Sequence, residues 1–450
     1  MDMKSKRLKK TSVCMLRLGE SAQSSGIGLT GGGDCAGIAD FLSSLALNLK
    51  PGLTMFGIKN AGAGLSVLPE KFKDQLILVD KKLAREFKGQ SSTPFGSARV
   101  NALKEFPENT LANIKPYKFM YGTGGDDHLG MLAAISAKFP DKIIVGTFKS
   151  IDGDGCINGK PAQMLGFRTA LEHYRQDFWA IVQNAHTHGQ VHVVEFFGRK
   201  SGKLAFESAR KYPPDFEKLP REEKRKIKSF RECVMILVPE KPVSLKKIVE
   251  KAVSIKNACG YVVIAVAEGF LPPELATEMK RLAADGALKS QWLARDLNPL
   301  KIHSLVRDSS LASVLKDPLL AAHFAETVWN SKLDAFGNVV SLSGIRHFII
   351  SALKELGGMK KVNELIRNYE ARGATPCKYD SVMGEKIGKM AASLINKGVV
   401  GGKAVVYFEG MNPFKQSPVV VPLVDVTNKN TLNNKGLYGE EVLKRNGVVA

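Results

Sequence analysis

The chain has 450 residues, of which 44% are apolar and 24% charged, and it carries a formal net charge of +21. That length suggests two or three domains, and the composition excludes a disordered, collagenous or coiled-coil protein. No apolar run approaches the roughly 18 residues that cross a bilayer. The charge favours polyanionic partners, a heavily phosphorylated substrate included, but its scatter along the chain speaks against a nucleic-acid or membrane-binding protein.

Residues 1–25 form a basic arm that opens MDMKSKRLKK and lacks the apolar core of a secretory signal; a disordered tail and an organelle-targeting arm are both open readings. Short β-branched runs at 27–29, 53–58, 118–121, 142–147, 191–197, 234–239 and 261–267 predict strands. Between them, 36–49, 130–138 and 167–186 predict amphipathic helices. This alternation is the pattern of an α/β fold with largely parallel sheets, whose buried strands read as continuous apolar runs. Two stretches interrupt it: 212–232, charged and Pro-containing, reads as a surface excursion, and about 271–367 as a helical insert. Six cysteines, at 14, 35, 156, 233, 259 and 377, show no CxxC pair, which fits a reducing, cytoplasmic setting. His186, His188 and His192 cluster without a Cys or carboxylate to complete a zinc set.

In open α/β sheets ligands bind beyond the carboxyl ends of the strands. The first strand runs into Thr30-Gly31-Gly32-Gly33-Asp34-Cys35-Ala36-Gly37 and a helix, so that backbone N–H groups and a helix N-terminus can approach a phosphate, although a plain tight turn is equally compatible. A later strand runs into Gly122-Thr123-Gly124-Gly125-Asp126-Asp127-His128, where adjacent carboxylates suit either a Mg²⁺ ion bridging a polyphosphate or a helix cap. The next runs into Lys149-Ser150-Ile151-Asp152-Gly153-Asp154, whose alternate carboxylates suit a proton acceptor and a metal holder. An EF-hand starting at Asp152 fails, because Ile157 and Gln163 stand where Gly and Glu are required.

Taken together, GLTGGGDCAG, SSTPFGSAR, YGTGGDDHLG, FKSIDGD, VVEFFGRKSGKLA, VIAVAEG and YEARGATPCKYD resemble, in order and spacing, the motifs of the phosphofructokinase family across about residues 26–414. The resemblance implies two phosphofructokinase-like α/β domains plus the insert. The donor domain would take 26–163 with about 372–414, and the sugar-phosphate domain 164–371 with about 415–450. It implies that Asp152 deprotonates the sugar 1-hydroxyl, that Asp126 and Asp154 hold Mg²⁺, and that Gly32 and Arg99 receive the donor phosphates. Ser150, Phe197, Gly198, Arg199, Glu268, Tyr369 and Arg372 would join Asp152 around fructose 6-phosphate. A homo-oligomer, dimer or tetramer, is also implied.

The sequence departs from the family pattern at Ala36, Ala39, Phe197 and Gly153, and Gln190 stands where an Arg often reaches into a neighbouring subunit. At positions 127 and 149 the ATP-using branch typically has glycine; Asp127 and Lys149 resemble the pyrophosphate-using branch, and a local pairing of the two is compatible with that role. The expected activity is therefore pyrophosphate-dependent phosphorylation of fructose 6-phosphate in glycolysis and gluconeogenesis. An ATP-dependent enzyme, a weakened regulatory subunit of the family and a polyanion-binding protein are the rival readings.

Overall fold

The computed structural model describes residues 24–210, 218–298, 301–330, 344–367 and 369–426. Most of the basic arm, and the tail after 426 that was assigned to the sugar-phosphate domain, lie outside the described residues. The strands are β1 Ser25–Thr30, β2 Thr54–Ile58, β3 Leu76–Leu78, β4 Phe119–Gly124, β5 Ile143–Ser150, β6 Cys156–Ile157, β7 Lys160–Gln163, β8 Leu165–Gly166, β9 Val191–Phe196, β10 Val234–Leu237, β11 Val262–Ala267, β12 Val362–Arg367, β13 Gly401–Phe408 and β14 Val419–Pro422. The helices that bear on the site are α1 Ile38–Asn48, α2 Asp126–Lys138, α3 Phe167–His188, α4 Lys203–Arg210, α5 Ile345–Glu355 and α6 Lys378–Lys397.

The strands form two sheets. The first runs β3-β2-β1-β4-β5-β13-β7-β6, with β14 on β13 and β8 on β5; its centre, from β2 to β13, is parallel. The second runs β10-β11-β9-β12 and is parallel throughout. β1, β4, β9, β10 and β11 are buried along their whole length, which is why they read as unbroken apolar runs. Helices cover both sheets, as parallel strands require. On the first, α6 packs on α1, joined by Ser44 Oγ donating to the Glu385 carbonyl at 2.7 Å and Ser381 Oγ donating to Asp40 Oδ2 at 2.8 Å.

Several expectations change. Among the described residues the insert forms helices between Pro273 and Asn330 and again in α5, but its last part is β12, an edge strand beside β9 whose alternating exposure sets it apart from the apolar runs. β13 was not predicted, yet it lies between β5 and β14 within the first sheet. β14 pairs with β13, so 419–422 join the first sheet rather than the sugar-phosphate half. α2 begins at Asp126, four residues before the predicted start, and β5 continues through Ser150, so Lys149 is a strand residue. Part of the charged excursion forms a helix, Arg221–Arg231, with a largely exposed face.

The insert is tied to the second sheet through β9. The buried Glu195 carboxylate, on β9, accepts from the backbone N–H groups of Gly344 and Arg346 and from the Arg346 guanidinium at 3.2 Å. A carboxylate buried this deeply is tolerable only with such a full set of donors.

Candidate active site

The segment 93–99 wraps the first glycine loop. Thr30 Oγ1 donates to the Gly96 carbonyl at 2.9 Å, Thr93 Oγ1 donates to Asp34 Oδ1 at 2.5 Å, and Ser97 Oγ donates to the Gly32 carbonyl. Gly31 packs on the buried His128 ring so closely that a Cβ would overlap it, and this contact sets the loop against the start of α2. Lys149, 3% exposed, rises under this loop from β5: its ammonium donates to the Gly33 carbonyl and lies 3.4 Å from where a Cβ on Gly32 would stand. Burial, with help from Arg372 and Arg99, holds Lys149 down to about 8. Cys35, at the foot of the loop, is not an activated thiol, since burial pushes it up to about 12.

The acidic side of the site lies at the ends of β4 and β5. Asp126 and Asp127 occupy the first turn of α2, where the helix dipole favours negative charge. Asp126 Oδ1 accepts from the Asp127 N–H at 3.0 Å. Ser150 Oγ accepts from the Asp152 N–H at 3.1 Å and so shapes the turn that carries the next two carboxylates. Asp152 Oδ1 is buried with no hydrogen-bond partner, an orphaned acceptor. Asp154 is pushed up to about 7 by burial and then by repulsion from Asp152 and Asp126.

Carboxylates that repel one another, one of them with a buried oxygen left without a hydrogen-bond partner, fit a cation. Among the described residues no set of three or more His, Cys, Asp or Glu side chains stands in cage geometry. An ion held there would take few ligands from the chain and would fill its shell with waters and substrate oxygens, as Mg²⁺ commonly does.

The second sheet supplies the opposite wall. Phe197, Gly198 and Arg199 follow β9, and Glu268 follows β11, its N–H donating to the Phe196 carbonyl at 2.9 Å. Glu268 is pushed up to about 7 by burial and then by Asp152, which places the two carboxyls within each other's field. Tyr369, 73% exposed, meets the Phe197 ring edge-on at 5.5 Å, and the Arg372 guanidinium lies 4.4 Å from the centre of the same ring. Arg372 also donates to the Asp34 carbonyl at 3.4 Å, so it bridges the expected sugar wall and the first glycine loop. The structure thus gathers Gly32, Arg99, Asp126, Asp127, Lys149, Ser150, Asp152 and Asp154 on one side and Phe197, Gly198, Arg199, Glu268, Tyr369 and Arg372 on the other.

Sequence reasoning missed three contributors. Lys200 lies close enough to Asp154 to ease its ionisation, Lys203 backs the loop between Asp152 and Asp154, and the buried Asp380 carboxylate accepts from the Thr169 N–H at 2.8 Å and its hydroxyl at 2.6 Å. Both lysines were legible within the motif VVEFFGRKSGKLA, of which only its Phe-Gly-Arg was used. Two of the three histidines have other partners: His186 packs edge-on to Phe230 and Tyr261, and His192 Nε2 shares a hydrogen bond with Gln190 at 3.0 Å.

Residues 26–395 match the family model described as phosphofructokinase. Similar proteins include the pyrophosphate–fructose 6-phosphate 1-phosphotransferase of Dictyoglomus thermophilum, 23% identical over 408 residues that cover 89% of this chain and 93% of the relative. Another is the ATP-dependent 6-phosphofructokinase 2 of Clostridium perfringens, 24% identical over 384 residues, 77% of this chain and 96% of the relative. Among solved structures, the pyrophosphate-dependent phosphofructokinase of Marinobacter aquaeolei superposes with a TM-score of 0.56 at 15% identity, over 90% of this chain and 84% of that one. The phosphofructokinase of Saccharomyces cerevisiae superposes with a TM-score of 0.58 at 16% identity, over 94% of this chain but only 49% of the yeast chain. The structural likenesses show the fold, and the family model spans most of the sequence: the chain belongs to the phosphofructokinase family.

Proposed function

We propose that this protein transfers a phosphoryl group from pyrophosphate to the 1-hydroxyl of fructose 6-phosphate, giving fructose 1,6-bisphosphate and phosphate. The observation that carries the choice of donor is the buried Lys149 ammonium beneath Gly32 and Gly33, with Asp127 in the first turn of α2. Relatives named for either donor stand at 23% and 24% identity, so overall similarity does not choose between them. Charge does. A carboxylate about 4 Å from a nucleotide's α-phosphate costs on the order of 4 kcal/mol at an effective dielectric near 20. A compact ammonium at the same loop suits the free end of a short diphosphate.

The proposed chemistry divides among the chain's residues as follows. Asp152, with its unpartnered oxygen, takes the proton of the sugar hydroxyl. Lys149, still an ammonium near pH 7, and Arg99 neutralise charge on the donor phosphates, where phosphoryl transfer needs electrostatic support most. Asp126 and Asp154 would hold Mg²⁺, which supplies further neutralisation of the diphosphate when bound. Arg199 and Arg372 suit the sugar phosphate, Glu268 the sugar hydroxyls, and Phe197, Gly198 and Tyr369 shape the wall between them. A homo-oligomer in a reducing cytoplasm belongs to this reading. Free thiols at the five described cysteines support the reducing setting.

Purified protein with Mg²⁺ and fructose 6-phosphate, offered pyrophosphate or ATP in parallel, tests the proposal. Pyrophosphate is expected to give a kcat/KM higher by on the order of a hundredfold. A better rate with ATP overturns the donor, and no rate with either favours the regulatory-subunit reading.

A further inference from the structure

Gly153 separates the two carboxylates of the catalytic loop, and the space where its side chain would stand is filled from behind. A Cβ there would lie 2.7 Å from the Phe167 ring and 3.1 Å from Lys203 Cδ, and its φ of 69° is a conformation that favours glycine. Phe167 opens α3 and Lys203 opens α4. The Lys203 side chain is only 6% exposed, and its ammonium sits 5.1 Å from the centre of the Phe167 ring. A buried ammonium needs a counter-charge. It finds one in Glu409 Oε2 at 2.9 Å, across 206 positions of sequence.

The two partners belong to different sheets. Lys203 follows β9 in the second sheet, whereas Glu409 follows β13 in the first and is held there by its N–H donating to the Pro161 carbonyl at 2.9 Å. The pair therefore crosses from one half of the molecule to the other directly behind the turn that carries Asp152 and Asp154.

We propose that Lys203 and Glu409 form a clasp between the two sheets that positions the Asp152–Asp154 loop for phosphoryl transfer. Lys203 is on this account a positioning residue: its stem and the Phe167 ring wedge the Gly153 turn, and Glu409 keeps the stem in place. A displacement of about 1 Å in a reacting group is enough to cost on the order of a hundredfold in rate. The kinetic part of the inference rests on the phosphotransfer reading; its structural part does not.

The test uses full-length Lys203→Met, Glu409→Gln, the double variant and Lys203→Arg, assayed with the donor the wild type prefers. Thermal melts and hydrogen exchange over residues 150–157 are recorded alongside. Each single variant is expected to lower kcat by about tenfold to a hundredfold while KM for fructose 6-phosphate stays within about twofold. The double variant is expected to be no slower than Lys203→Met alone, as partners in one contact should be. Lys203→Arg should recover most of the rate, and exchange at 150–157 should quicken in both singles. An unchanged kcat in folded singles, losses that multiply in the double variant, or unchanged exchange at 150–157 would overturn the clasp. If Lys203→Met fails to fold, Glu409→Gln carries the test, since the Glu409 side chain is 55% exposed. If the wild type uses neither donor, the phosphotransfer reading falls, and exchange alone decides the clasp: faster in Glu409→Gln sustains it, unchanged sinks it.

Discussion

Lys149 is under opposed demands. Burial disfavours its charge and draws it down to about 8, whereas its place beneath the glycine loop is useful only while it is charged. Near pH 7 the ammonium form still prevails, and the Gly33 carbonyl gives it a fixed acceptor. Asp152 is the reverse case, an acceptor with one oxygen left unpaired in a buried site. Asp152→Ser is expected to lower kcat by about 10²–10⁴ with little change in KM for fructose 6-phosphate, as measured by steady-state kinetics. The carboxyls also make a prediction about pH. Glu268 is raised to about 7 in the fold against 4.5 as a free group, so the folded state binds its proton more tightly than the unfolded chain does. The favourable contribution is present in full below about 4.5 and is lost as pH rises through about 7. Urea melts of the ligand-free protein should therefore show stability falling over that window, and Glu268→Gln should make the fall shallower.

At the scale of elements, the site is held by contacts between segments far apart in the chain. α3 and α6 meet at Asp380, whose Oδ2 accepts both the Thr169 N–H and hydroxyl, while Thr169 Oγ1 accepts from the Cys377 N–H at 3.1 Å. Asp380→Ala would strand two buried donors and is expected to cost about 1–3 kcal/mol, read from the urea midpoint. This level also shows what the sequence made legible. The parallel core strands and the glycine turns after β1, β4 and β5 were readable because buried parallel strands are continuous apolar runs and the chemistry follows their carboxyl ends. β12 was not, because Val-Asn-Glu-Leu-Ile-Arg shows an edge strand's mixed faces. β13 carries a continuous apolar run of the same kind, Ala404–Phe408, and was overlooked; its place beside β5 is a long-range pairing. The Lys203–Glu409 contact, 206 residues long, is likewise long-range, and no local pattern announces it.

For the whole molecule, the parallel strands of the two sheets present their carboxyl ends to one site. Arg372 touches both the Phe197 ring and the first glycine loop, and the fields of Glu268 and Asp152 overlap. On the proposed assignment, donor and acceptor sites are parts of one electrostatic unit rather than neighbours, and a change of donor charge should be felt at the glycine loop first. The most direct test is the replacement of Asp127 and Lys149 by glycine, singly and together, with kcat/KM measured for pyrophosphate and for ATP. The account predicts that the double variant shifts the ratio towards ATP by on the order of a hundredfold, with Asp127→Gly alone giving part of the shift by relieving repulsion. A ratio unchanged in a folded double variant would contradict it.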